Sequence, residues 1–282
     1  MKSTYSYSGQ KPVVHYYGTC WNEEYILSHF LSHHRSIFNK IYIFDDKSTD
    51  KSLSMLRKEP NVVVQGTGRP ESESYIRFNT HIFNNAWKES RGHADWVVVG
   101  NLDEFTYRRD LLGYLNACTR ANITLVPVLG FEMIAREPIP SGRQLMQSVK
   151  NGAPFPDMCR FAIFNPDAIA EINYSDGRHH SDPTGEIVLP ENDRTLNLHY
   201  KHVGLERTLV RYRTQNERRS QQEKRAGLGF QYGLTWDQYM TRWQTVERNA
   251  FNVFDWYKLD KPYPGPIWWR AEEAKRFPER AV

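Results

Sequence analysis

The stretch that most narrows the fold is Trp96-Val97-Val98-Val99, which runs without a break and stops at Gly100-Asn101-Leu102-Asp103-Glu104-Phe105. A run so short and valine-rich reads as a strand buried on both faces, as in a parallel sheet. In open α/β sheets, ligands gather outside the carboxyl ends of such strands, which puts Asn101, Asp103 and Glu104 where chemistry is expected. On extended chain Asn101 and Asp103 share a side, while Glu104 points to the other. A carboxylate and an amide oxygen converging on one point suit a hard divalent cation that carries phosphates. The bland reading is that Asn101 and Asp103 merely end a strand and cap the next turn.

The segments upstream repeat the theme. Val13 to Tyr17 reads as a first strand, and Ile26, Leu27, Phe30, Leu31 and His34 recur at helical spacing over Glu23 to His34. Ile41 to Phe44 is a second strand ending at Asp45-Asp46, Leu53 and Leu56 carry a short helix, and Val62 to Gln65 is a third strand. This βαβαβ alternation calls for a parallel sheet with right-handed crossovers. Tyr75 to Ala86 has the clearest helical pattern, Leu111 to Arg120 reads as helix, and Ile123 to Val128 as a further buried strand. No GxGxxG or Walker loop occurs.

From Phe131 the grain changes. Pro138, Pro140, Gly142, Gly152, Pro154 and Pro156 mark a long loop of the kind that shapes a substrate site. Short strands are expected at 160–164, 168–172, 187–189 and 195–200, then one helix over Leu205 to Lys224 and a helical tail holding Trp236, Trp243, Trp256, Trp268 and Trp269.

With 282 residues, the chain suits one large domain or a domain with a substantial extension. Eight Trp and sixteen Tyr are more flat amphipathic rings than packing requires, and sugar-handling clefts use them, although most are expected in the core. A net charge of +4 is too weak to imply nucleic acid, and the basic helix at 205–225 is short and lacks a stacking motif. That helix suits a pyrophosphate, an anionic lipid or a lipid-linked acceptor, or simply forms a solvated face. Cys20, Cys118 and Cys159 show neither metal spacing nor an even pairing, which favours a reducing compartment. With a polar start and no apolar span, the expected location is cytoplasmic, with peripheral contact at the inner membrane face allowed.

Three motifs sit at strand ends: Asn22-Glu23-Glu24, Asp45-Asp46-x-Ser48-x-Asp50 and Asn101-Leu102-Asp103-Glu104-Phe105; His199-Tyr200-Lys201 follows later, before the basic helix. In this order they resemble the family 2-like glycosyltransferases of GT-A fold, in the subgroup marked by N-E-x-x-x-L, D-(D/N)-x-S-x-D, D-x-D-E-F and H-Y-(R/K). Each motif is weak alone, and the ordered set is specific. The resemblance implies an α/β GT-A fold, with a mostly parallel central sheet flanked by helices. It implies a glycosyltransferase domain over 1–203, divided into a nucleotide-sugar part (13–130) and an acceptor part (131–203), with a helical extension over 204–282. It also implies a metal-dependent, hexosyltransferase-like enzyme, inverting by preference. Such an enzyme moves a sugar from a nucleotide-diphospho-sugar, UDP favoured, to a hydroxyl of a glycan or lipid-linked acceptor, as in surface polysaccharide synthesis.

Carried over by position, Asp45 or Asp46 would hold base and ribose, with Asn22, Glu24, Asn101 and Lys201 also at the donor. Asp103 would bind Mn²⁺ or Mg²⁺, and His199 would complete the metal or diphosphate site. Asn101 departs from the family's first aspartate, so the alternative is a catalytically silent nucleotide- or sugar-binding relative.

The chemistry supports the same inventory. Cleaving a sugar–diphosphate bond builds negative charge that a carboxylate-bound cation neutralises, and cations such as Lys201 and Arg207 add to this. An inverting transferase also needs a base near the acceptor hydroxyl. Candidates are Glu104, Glu132, Asp176, His179 and His180, with His180 and Asp176 ranked first. A glycosidase is the rival enzyme class, since carboxylate pairs also hydrolyse glycosides. Asp45-Asp46 as a plain helix cap, His199 as an ordinary strand-end histidine, and Arg69 and Arg77 as surface charges are the bland readings. The adjacent His179 and His180 diverge and lack zinc partners at ligand spacing; His15, His29, His33 and His34 are expected to pack or face water.

Overall fold

The structure, a computed structural model, describes residues 11–271. Its sheet begins with β1 (Val14–Cys20), β2 (Lys40–Asp45), β3 (Val62–Gly66) and β4 (Trp96–Val99), all parallel, in the spatial order β3-β2-β1-β4. The crossovers carry α1 (Glu24–His34), α2 (Ser52–Leu56) and α3 (Tyr75–Asn85). Every residue of β1 and β4 is buried, which is why both read as unbroken apolar runs rather than alternating ones. The α/β architecture with helix-flanked parallel strands is the one expected.

Past β4 the chain reverses. It makes β5 (Glu104–Tyr107), α4 (Leu111–Arg120), β6 (Leu125–Ala135), α5 (Leu145–Ser148), β7 (Asn151–Pro154), β8 (Arg160–Phe164), β9 (Ile169–Glu171), β10 (Thr184–Gly185) and β11 (Thr195–Val203). Strand β8 pairs antiparallel with both β4 and β6; β7 pairs antiparallel with β6, and β11 pairs parallel with β6 and antiparallel with β5. Strands β9 and β10 form a separate antiparallel pair.

The strand expected to end at Val128 is longer. β6 continues to Ala135, and Phe131, Met133 and Ile134 are buried. Pro127 is tolerated inside this strand because the register with β8 shifts at Val126/Pro127. No strand forms at 187–189; the Val188 carbonyl accepts from Thr124 N and Leu125 N, and Val188 N donates to Thr124 Oγ1.

Gly204, at φ 80°, turns β11 into α6 (Leu205–Arg218). The helix expected through Lys224 breaks at Arg219-Ser220, where α7 (Gln221–Arg225) starts with a capping box. Ser220 Oγ accepts from Glu223 N and Glu223 Oε2 accepts from Ser220 N, so the Ser-x-x-Glu pattern specifies a new helix start. Beyond lie α8 (Trp236–Asn249), β12 (Phe251–Asn252), which joins the sheet through β7, and α9 (Val253–Lys258). Val253, Trp256 and Trp269 pack into the main core, while Tyr212, Tyr239 and Trp243 gather with Ile134 in a second apolar cluster under α6. The part of the expected tail at 272–282 lies outside the described residues.

Candidate active site

At the carboxyl ends of β1 and β2 the two upstream motifs lock together. Asn22, at φ 52°, adopts a left-handed conformation that asparagine tolerates better than most residues. Its Oδ1 accepts from Thr49 N at 2.7 Å and Asp50 N at 3.3 Å. Asn22 N donates to Ser48 Oγ, Glu23 N to Ser52 Oγ and Glu24 N to Asp50 Oδ2, while Glu24 Oε2 accepts from Lys51 N. Asn22 and Glu24, expected to face the donor, thus spend polar atoms on the loop beside them. The strand-end backbone leaves N–H groups that these side chains satisfy, and Asn22 and Glu24 also line the cavity beside α6.

The two aspartates after β2 differ. Asp45 Oδ2 accepts from Ser48 N at 3.0 Å, but its buried Oδ1 has no partner. Asp46 is the deeper residue, its side chain 0% exposed. Thr67 Oγ1 donates to its Oδ1, and Arg69 Nε and Nη2 donate to its Oδ2 at 3.0 and 2.7 Å. The Arg218 guanidinium from the end of α6 also bears on Oδ2. Arg69 is therefore a buried partner of Asp46 rather than a surface charge. Arg77 stays half-exposed, 3.4 Å from Asp176.

After β4, the turn at 101–104 is hung from β1. Tyr16 Oη donates to the Asn101 carbonyl at 3.0 Å, and its ring fills the space beside Gly18 and Gly100, where added Cβ atoms would meet it at 2.7 and 3.0 Å. Asn101 Nδ2 donates to Glu104 Oε1 at 2.7 Å. An aspartate at 101 would set a second carboxylate against this buried one, so the amide is the residue type the contact requires.

Glu104, 4% exposed, is held by Arg178 Nη2 at 2.7 Å and Arg160 Nη1 at 3.4 Å. Burial pushes its carboxyl up, and the two arginines outweigh this and hold it below the usual range. Glu104, one of the expected catalytic candidates, is thus a buried carboxylate whose Oε1 is shared by three donors. It serves to bring in the 176–180 turn. Arg178 sits at φ 60° with Nη1 on the Val99 carbonyl, so the turn carrying Asp176, His179 and His180 is pinned to the tip of β4. Asp176 and His180 remain exposed on it; His180 lies 5.4 Å from the Trp268 ring, and His179 Nδ1 pairs with the Asp157 carbonyl.

Asp103 ends up beside His199. Tyr200 N donates to the Asp103 carbonyl, and β11 runs antiparallel to β5 with His199 opposite Glu104, which brings the D-x-D-E-F and H-Y-K motifs together. His199 Nε2 lies 3.2 Å from Asp103 Oδ2, and its Nδ1 lies 3.2 Å from Glu132 Oε1. His202 Nε2 reaches the same Glu132 oxygen at 3.0 Å.

Burial pushes Glu132 up, yet the two histidines pull it well below the carboxylate range; His202 is lowered by its own burial despite Glu132. His199 feels burial as a lowering influence, but Glu132 and Asp103 dominate and raise it to about 10. Burial raises Asp103, while His199, Lys201 and Arg211 hold it low. Asp103 keeps 28% of its side-chain surface, against 9% for His199. It is the acid of this cluster that solvent reaches.

Among the described residues, no group of three or more His, Cys, Asp or Glu is arranged to hold a metal ion. Both ring nitrogens of His199, the expected metal or diphosphate residue, face carboxylates. A partly exposed Asp103 fits a hard ion that brings phosphate oxygens with it, and does not fit a free-standing metal centre.

Lys201 turns away from this cluster, its Nζ 4.7 and 5.0 Å from the Tyr212 and Tyr232 rings. The cations that reach the strand ends come from α6 instead. Arg211 Nη1 donates to the Trp21 and Asn22 carbonyls and Nη2 meets Glu23, while Arg207 lies over the Tyr25 ring at 4.2 Å. Burial raises Glu23 to about 7 against the opposing pull of Arg211, with Asp103 adding to the rise. A cavity of about 500 Å³ runs between the Asn22 loop and α6, lined by Trp21, Tyr25, Asp50, Arg207, Arg211 and Arg218. Arg207 was expected near the diphosphate, whereas Glu23, Arg211 and Arg218 went unassigned in the sequence, although the +5 balance from Tyr200 to Arg225 pointed to the arginines.

No protein-family profile matches the chain, and no curated protein matches it. Solved structures do match. A glucosyl-3-phosphoglycerate synthase from Mycobacterium tuberculosis, in complex with Mn²⁺, UDP and glucosyl-3-phosphoglycerate, is 14% identical over 43% of this chain and 44% of that one, with TM-score 0.30. S. aureus TarS is 13% identical over 72% of this chain and 38% of its own, with TM-score 0.36. The chain thus spans under half the length of either structure. Scores this low carry neither residues nor activity across.

Proposed function

We propose that the chain is a glycosyltransferase that takes a nucleotide-diphospho-sugar at the strand ends of β1, β2 and β4 and passes the sugar to an acceptor hydroxyl. The observation that carries this reading is the meeting of Asp103 with His199, with Arg211 acting on the same carboxylate from a cavity rimmed by Arg207, Arg211 and Arg218. One partly exposed carboxylate facing several cations is what a metal-bound diphosphate needs. Asp45, with a free acceptor at Oδ1, and Asp46 read the nucleoside. Asp103 holds Mn²⁺ or Mg²⁺ together with the diphosphate, and the ion supplies charge neutralisation for the leaving group when bound.

His199, protonated at neutral pH, keeps Asp103 ionised and oriented, and Glu132 fixes the ring from behind. Arg207 and Arg211 face the leaving diphosphate. Asp176 and His180, exposed on the turn that Arg178 anchors, are the candidates to accept the acceptor's proton.

On the acceptor side, Phe230 and Trp236 are 66% and 56% exposed and follow Lys224 and Arg225 in the chain, which favours a lipid-linked acceptor or a membrane surface. No helix among the described residues is long and apolar enough to cross a membrane.

A thermal-shift panel of UDP-, GDP-, CDP- and dTDP-sugars, with and without Mn²⁺, tests the reading, since ligands that bind the native state raise its melting point by mass action. A metal-dependent upward shift with one nucleotide is expected. No shift with any would sink it, and a shift without turnover would favour the silent relative that Asn101 raised.

A further inference from the structure

The nucleoside-reading aspartate of the proposed donor site is already occupied, and by the chain itself. Arg218 ends α6 with its guanidinium carbon 4.1 Å from the Trp21 ring centroid and 3.8 Å from that of Tyr75, a flat cation held between two aromatic faces. Its edge meets Asp46 Oδ2, on a side chain with no solvent exposure. Trp21 ends the β1 side of the cleft, Tyr75 opens α3, and Asp46 follows β2, so three separate elements converge on this one guanidinium.

The segment that carries Arg218 is fastened at both ends. Arg211, two helical turns earlier, grips the Trp21 and Asn22 carbonyls and Glu23. After the break at Arg219-Ser220, Glu223 Oε1 accepts from Ser74 Oγ and Ile76 N at the start of α3, at 3.0 Å each.

A planar group stacked between rings, with N–H donors aimed at a carboxylate, is the recognition pattern of a nucleobase with an N–H edge. Asp46 already takes donors from Thr67 and Arg69. The place that Arg218 fills is thus the one an incoming base would need. Beyond the Asp46 ion pair the buried Arg218 Nη atoms have no hydrogen-bond partner, while Glu223, Asp45 and Glu23 act on the guanidinium through space.

Building on the donor-site reading, we propose that Arg218 is a built-in stand-in for the nucleobase, and that α6–α7 is a latch which the nucleotide displaces on binding. Arg218 then sets the apparent affinity for donor, because a site open only a fraction of the time binds more weakly by that fraction. Displacement frees the guanidinium at the mouth of the cleft that Arg207 and Arg211 already line.

The test is UDP and GDP binding, with Mn²⁺, to wild type, Arg218→Ala and Trp21→Ala by calorimetry, alongside hydrogen exchange of wild type with and without the better nucleotide. A latch shut about nine-tenths of the time predicts about tenfold tighter binding by Arg218→Ala. Trp21→Ala, which removes one wall of the slot, should bind more weakly. Amides of 211–225 in wild type should exchange faster once nucleotide is bound.

Equal or weaker binding by a folded Arg218→Ala would overturn the latch and make Arg218 an ordinary ligand or a structural residue, leaving the donor site standing. Should Arg218→Ala fail to fold, slower exchange of 211–225 in wild type on adding nucleotide would overturn it equally. No binding of either nucleotide to wild type and Arg218→Ala would overturn the donor-site reading, and the latch with it.

Discussion

The lock between Asn22–Glu24 and Ser48–Asp50 and the cluster of Asp103, His199 and Glu132 look alike in sequence: short polar motifs at strand ends. Their structures differ in where the charge goes. In the lock, carboxylate and amide oxygens mostly accept from backbone N–H groups one loop away, so the motif satisfies the chain itself. In the cluster, carboxylates face a histidine from distant strands, and one of them keeps a solvent-facing surface. Short strand-end motifs thus divide into those whose acceptors are spent on the chain itself and those that keep a solvent-facing carboxylate.

The contrast breaks most sharply at Asp103. Asp103→Ala should lower sugar transfer by about a thousandfold, the equivalent of several kcal/mol of charge stabilisation, and abolish the Mn²⁺-dependent part of nucleotide binding. Unchanged kinetics would place Asp103 with the lock. Next comes Arg178, whose loss strands buried Glu104: Arg178→Ala should cost about 3–5 kcal/mol in urea unfolding, a loss that would be absent if the 176–180 turn were held by other contacts.

A pH series sharpens the cluster side. His199 is raised from 6.5 to about 10, so its share of stability is complete below pH 6.5 and drains away as pH climbs towards 10. Asp103 and Glu132 are held low, so theirs is present above about 4.5 and lost only in acid. Between pH 6.5 and 9.5 the folded chain should lose up to about 1.4 kcal/mol per unit from His199; His199→Gln should flatten that slope, and an identical slope would contradict the assignment. The smallest effect belongs to the lock. Asn22→Ala should cost about 1–2 kcal/mol of stability, while nucleotide affinity measured on the folded fraction stays unchanged; a large drop in affinity would move Asn22 to the ligand.

How far the sequence reached follows from the range over which each signal acts. Trp96–Val99 was legible as a strand because burial on both faces leaves an unbroken apolar run, and Ile26, Phe30 and His34 showed α1 by their spacing. β6 was cut short at Val128 because the Pro and Gly residues beyond suggested a loop, whereas Phe131 and Met133 pair with β7 and stay buried. The break in the basic helix was written in Ser220 and Glu223 but masked by its charge pattern. Asp103 and His199 were paired through their motifs. The burial of Glu104 was not readable, since its partners Arg160 and Arg178 lie 56 and 74 residues away and leave no local pattern. Nor could spacing show that Arg218 would return to Asp46.

Tyr16 has a wider consequence. One phenol, wedged where Gly18 and Gly100 leave no room for side chains of their own, fixes the height of the acidic turn above the sheet by the distance from its ring to its hydroxyl. The reach of Asp103 is therefore gauged from inside the hydrophobic interior, and a shorter or longer ring at position 16 would retune it without touching any polar residue at the surface.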